Sequence, residues 1–187
     1  MNDERLALFL MLGQTATRTV GALPSVVPSQ RLALSDTLDL AVTAPEEVRL
    51  AIATSEPYQL FFVFERYLRA VVVDALSKDG AEEWWSKIPQ DIQAEVEKME
   101  QTEEVKQWMA LGSRDRSALL TYPQLLAIIE KNWKDYFSDL LRDRSLIQEG
   151  RWISHIRNTV CHMSPVPDEE LQRVRQVMRD WFRILPP

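Results

Sequence analysis

The chain has 187 residues, 45% of them hydrophobic and 27% charged, enough for one buried core and an appendage. A net charge of −6 argues against a broad basic coat for nucleic acid, and a single cysteine excludes a disulfide framework and a cysteine-rich zinc site. Glycine is scarce at 5, helix-favouring residues dominate and strand alternation is hard to find, so an all-α fold is expected.

Residues 1–54 read as an N-terminal helical extension and 55–187 as a helical domain. Asp3 to Val20 carries an amphipathic pattern through Leu6, Phe9 and Leu10, broken by the prolines of "GALPSVVPSQ". "RLALSDTLDLAV" is ambiguous and is taken as helix. "APEEVRLAIATS" is a short helix with Pro45 in its first turn and acids beside it. Met1 is followed by Asp3, Glu4 and Arg5, and the first apolar run ends near Leu12, so no secretory leader is expected.

"SEPYQLFFVFERYLRAVVVDALSKDG" predicts the central helix, with Ser55 as N-cap and Gly80 as stop, and apolar residues on almost every side. Glu65, Arg66 and Arg69 interrupt it, so it does not span a membrane; a soluble cytoplasmic protein is expected. These charges either occupy a narrow wet face, or Glu65 faces a functional arginine inside the bundle. "EEWWSKIPQDIQAEVEKMEQTEEVKQWMALG" gives one or two polar, surface-type helices split near Pro89 and Gln101. "TYPQLLAIIEKNWKDYFSDLL" begins with a helix that has Pro123 in its first turn, and its amphipathic pattern runs on through Trp133, Tyr136 and Phe137, either continuously or as a second helix after Asn132. "SLIQEGRWISHIRNTVCHMSP" is read as one helix from Arg144 or Ser145, ending by Ser164 because Pro165 and Pro167 follow. "PDEELQRVRQVMRDWFRIL" closes the chain, burying Leu171, Val174, Val177, Met178, Trp181 and Phe182.

Arg151–Pro165 holds both histidines and the only cysteine. At about 100° per residue, His155, Asn158 and His162 share one stripe, while Arg157 lies roughly 140° from His162. Ile153, Ile156 and Val160 belong with the core, so the stripe is either a buried hydrogen-bond network or a site. Two histidines with one distant carboxylate are too few for a metal centre, so neither a metal nor another cofactor is assigned. Cys161 and His162 are neighbours that point apart, which disfavours a thiolate nucleophile; Cys161 reads as a small core residue. An arginine-only patch supports phosphate binding: residues 142 to 183 hold eight arginines against six acids. The alternative for that patch is a solvated helix face. Arginine, histidine and an amide suit RNA cleavage by its own 2′-hydroxyl, where imidazole moves protons and guanidinium stabilises the phosphorane.

"RNTVCH" resembles the arginine-to-histidine motif of the HEPN superfamily, the higher eukaryotes and prokaryotes nucleotide-binding domain. "FERYLR" upstream and "SPVPDEELQRVRQVMRDWF" downstream resemble its helical context over roughly Tyr58 to Leu185. The nearest branch is that of transcript-surveillance endoribonucleases and bacterial defence or toxin proteins. The resemblance implies a helical bundle that dimerises with two motifs facing one cleft, a metal-independent endoribonuclease, and products with 2′,3′-cyclic phosphate and 5′-hydroxyl ends. It implies Arg157 and His162 as catalytic and Asn158 as supporting; Glu65 and His155 are accessory candidates. Some toxins of the superfamily carry a modifiable Tyr two residues after the histidine; Ser164 stands here. The expected partners are a second copy, an RNA substrate and an antitoxin or defence-system protein. The rival readings are a non-catalytic interaction module that binds a protein or nucleotide, and a plain bundle with a satisfied core histidine.

Overall fold

A computed structural model describes residues 9, 11–13, 32–80, 83–105 and 115–187. The chain divides into two compact units, Met1–Ala53 and Thr54–Pro187.

In the first unit Phe9 and residues 11–13 are helical, with Phe9 exposed; the rest of the helix expected over Asp3 to Val20 lies outside the described residues. The helix expected in "RLALSDTLDLAV" is instead a hairpin, β1 (Ala33–Ser35) against β2 (Leu38–Asp39), followed by one turn of helix, α1 (Leu40–Thr43). Short polar side chains take over the local backbone there. Ser35 Oγ accepts from Leu38 N at 3.1 Å, and Asp39 Oδ1 accepts from Leu32 N and from Ala41 N, capping α1. α2 (Pro45–Ala53) starts at its proline as expected, with Glu46 and Glu47 at its positive end and Val48 buried.

The second unit is built around α3 (Ser55–Leu76), which packs against α5 (Tyr122–Lys131), α8 (Ser154–Cys161) and α9 (Asp168–Ile184). Phe61, Phe64, Leu68, Val72 and Leu76 are buried along it, but Tyr58, Phe62 and Val63 are exposed, so one face of this central helix stays open. Its N-cap is Thr54 rather than Ser55, and it stops at Leu76 rather than near Gly80. A 3₁₀ turn at Trp85–Lys87 and Pro89 precede α4 (Gln90–Val105). α4 runs unbroken through Gln101, because Ile92 and Val96 anchor it and nothing at Gln101 withholds a backbone bond. After α5 a wide π turn (Trp133–Phe137) leads into α6 (Ser138–Leu141).

The segment expected as one helix from Ser145 to Ser164 is two: α7 (Ser145–Trp152) and α8, broken at Ile153 with φ −87° and ψ 0°. Gly150 explains the break. Its carbonyl, which a continuing ladder would offer to residue 154, accepts the Tyr122 hydroxyl at 2.7 Å. A Cβ at Gly150 would stand 3.1 Å from Leu126 Cδ2 and 3.3 Å from the Tyr122 oxygen, so glycine is what lets α7 close on α5. α9 seals the core through Trp181, fully buried, whose indole N–H donates to Leu146 O at 3.2 Å and whose ring meets Phe64 edge-on at 5.9 Å. Leu171, Val174, Val177 and Met178 are buried as expected, and Phe182 packs edge-on to Tyr67 at 4.8 Å.

Candidate active site

The break at Ile153 re-aims α8. Ile153 and Ile156 are buried, and Val160 half-buried, on the side of α8 that faces the core. Arg157, one residue past Ile156, is thereby carried to the edge of that contact, against α3. Its Nε donates to Glu65 Oε1 at 2.7 Å, across 92 residues of sequence. The Arg157 side chain is 24% exposed and that of Glu65 17%, a partly dry setting in which a charge-assisted bond gains strength. Of the two readings of Glu65, the arginine-facing one describes the geometry. The bond to Glu65 holds the guanidinium above its already high ordinary pKa, with burial working the other way. The two terminal nitrogens of Arg157 take no part in the bond to Glu65.

Tyr122, fully buried, is close enough to Glu65 to feel its charge. Burial first, and the Glu65 carboxylate second, push its hydroxyl well above the ordinary tyrosine range, so it stays protonated and donates to Gly150 O. Phe61 packs edge-on to its ring at 5.9 Å. Tyr122 and Gly150 thus place α8 relative to α3. Sequence reasoning assigned neither a role; the one available signal was a glycine kept inside a helical pattern in a glycine-poor chain.

His162 is the C-cap of α8, and its N–H donates to Asn158 O at 3.0 Å. The helix then closes with two crossing bonds, Met163 N to Val160 O at 3.0 Å and Ser164 N to Thr159 O at 3.1 Å. Met163 occupies the left-handed position of this closure, at φ 56°, and is 87% exposed. Glycine is the usual residue there. The closure fixes the His162 backbone while its side chain, with those of Asn158 and His155, faces solvent. The stripe of His155, Asn158 and His162 is therefore exposed, and of its two readings the buried hydrogen-bond network does not describe it. Cys161 is corrected: it is exposed rather than in the core, and lies beside Arg157. Among the described residues no three His, Cys, Asp or Glu side chains converge as metal ligands.

A family model for Swt1-like HEPN domains matches residues 59–185. The chain belongs to the Swt1-like HEPN family. The match runs from the second turn of α3 to just past the end of α9, so Glu65, Arg157, Asn158 and His162 all lie inside the HEPN domain, and the first unit lies outside it. No curated protein matches the chain, and no solved structure matches it. No helix among the described residues of this HEPN protein is long and apolar enough to cross a membrane.

Proposed function

We propose that this HEPN domain is a metal-independent endoribonuclease that works as a homodimer in the cytoplasm, a toxin or defence effector controlled by an antitoxin or another defence-system protein. His162 acts as general base and acid. It takes the proton of a ribose 2′-hydroxyl, whose oxygen attacks the adjacent phosphorus; the bond from phosphorus to the 5′ oxygen breaks and that oxygen leaves protonated. Arg157 stabilises the charge on the phosphorane, and Asn158 orients the phosphate. Glu65 holds Arg157 in place, and His155 flanks the site without a chemical step. The products carry 2′,3′-cyclic phosphate and 5′-hydroxyl ends.

The observation that carries this reading is the way Arg157 is held. Glu65 binds it through Nε alone, which leaves its terminal nitrogens outside that bond, one to two helical turns from the exposed His162. Arg157 and His162 diverge around α8, and a cleft shared by two copies supplies both groups to one phosphate. The test is cleavage of end-labelled single-stranded RNA with analysis of product ends. His162→Ala and Arg157→Ala are each expected to lower the rate about a hundredfold or more with the dimer intact, and EDTA to change nothing. Cleavage that persists in both variants refutes the site.

The acidic net charge of −6 and the neutralisation of Arg157 by Glu65 favour a second reading, a non-catalytic interaction module that binds a protein or nucleotide. A dimer that leaves every RNA intact moves the reading to this module.

A further inference from the structure

The edge of α3 beside Arg157 carries more than Glu65. Tyr58, Phe62 and Arg66 follow one another at four-residue steps and form a continuous row. Glu65 and Arg69 each follow a member of that row by three residues, so the row runs along the same edge as the Glu65–Arg157 pair. Tyr58 is 59% exposed and Phe62 50%, large values for aromatic rings beside a candidate site. Their centroids are 6.1 Å apart with planes tilted by 31°, and the Arg66 guanidinium sits 5.7 Å from the centre of the Phe62 ring.

The charge along this edge is unbalanced. Glu65 is engaged by Arg157, whereas among the described residues neither Arg66 nor Arg69 has a carboxylate within ion-pair distance. Arg69 is half-buried and donates to Leu120 O at 3.2 Å, a neutral partner that leaves its charge uncancelled. The neighbouring acid Glu56 is paired with Arg175. Exposed aromatic faces interleaved with uncancelled guanidiniums are what an unpaired polynucleotide needs: bases stack on the rings while phosphates meet the cations. A purely apolar partner would leave Arg66 and Arg69 desolvated without compensation. A duplex keeps its bases stacked inside the helix and closed to Tyr58 and Phe62.

We propose that the Tyr58–Phe62–Arg66 row is a single-stranded RNA-binding track, on which bases next to the reactive phosphodiester stack on Tyr58 and Phe62 and phosphates contact Arg66 and Arg69. The proposal rests on the ribonuclease reading for the choice of RNA as ligand, and binding is measured apart from cleavage so that the two can fail separately. The whole 187-residue chain with His162→Ala, which keeps the RNA whole, is titrated against a fluorescently labelled short single-stranded RNA and against the same sequence as a duplex, followed by anisotropy. Phe62→Leu and Tyr58→Leu retain bulk but lose the π face. Each is expected to weaken single-strand binding roughly tenfold and leave duplex binding unchanged. Phe62→Trp is expected to restore single-strand binding, and Arg66→Gln to make the affinity less dependent on salt. Both rings are half exposed or more, so the variants should melt with the parent, which circular dichroism checks. Unchanged single-strand binding by Phe62→Leu and Tyr58→Leu overturns the proposal. So does a Phe62→Leu protein that turns monomeric in light scattering, because the face then belongs to a second copy. A wild-type protein that binds single strands through Phe62 but never cleaves them rejects the ribonuclease reading and keeps the track.

Discussion

Removing Glu65 probes the junction of α3 and α8 most directly. Glu65→Ala leaves Arg157 half-sheltered without its counter-charge, and Arg157→Ala does the converse to Glu65. Breaking a fully buried pair costs about 3–5 kcal/mol, and an exposed pair contributes about 0–1 kcal/mol. With the two side chains 17% and 24% exposed, this pair sits between those limits, and about 1–3 kcal/mol is expected for either single change. In a two-state domain the size of residues 54–187, that lowers the melting temperature by roughly 3–10 °C. The double variant removes both charges and should lose much less than the two single losses combined, with a coupling of about 1–2 kcal/mol. Glu65→Gln keeps an acceptor oxygen without its charge and should fall between wild type and Glu65→Ala. Urea unfolding followed by tryptophan fluorescence gives all four corners of the cycle. Additive losses, with coupling below about 0.5 kcal/mol, would refute the idea that this bond holds α8 on α3.

Two further outcomes follow from single groups. Met163→Gly relieves a left-handed residue at the end of α8 and should stabilise the protein by about 0.5–1 kcal/mol in urea unfolding, the gain reduced by the greater freedom of glycine in the unfolded chain; a lower midpoint contradicts the closure described for α8. Tyr67 is buried, its hydroxyl donates to Leu185 O at 2.6 Å, and burial pushes its pKa up to about 12 from the ordinary 10.0. A folded pKa above the unfolded one means that this contribution is fully present below pH 10 and is lost as pH rises towards 12. Tyr67→Phe should therefore flatten the loss of stability across that window, with Tyr122 and Lys87, both also held above their ordinary pKa, contributing to what remains, and an unchanged alkaline slope refutes the assignment.

What the residues alone determined is whatever depends on near neighbours in the chain. α2, α3 and α9 have the 3.6-residue apolar repeat, the first-turn prolines or acids, and lengths that reveal them in isolation. The Arg157–Asn158–His162 motif was legible for the same reason, as six contiguous residues in a recognisable setting. Only the tertiary structure decided the rest. Ile153 looks helical in its own window; the helix breaks there because Tyr122, 28 residues before Gly150, takes the Gly150 carbonyl. Cys161 is small and apolar, and nothing local shows that α8 turns it towards Arg157 and solvent. The hairpin at Ala33–Asp39 emerges from side-chain bonds of Ser35 and Asp39 that outcompete a neutral helical pattern. Glu65 had two readings on the helix wheel because a wheel gives direction and not partners. Its partner is supplied by a helix 92 residues away, and only the packing of α8 on α3 brings the two charges to 2.7 Å, where excluding part of the water makes the bond strong enough to matter.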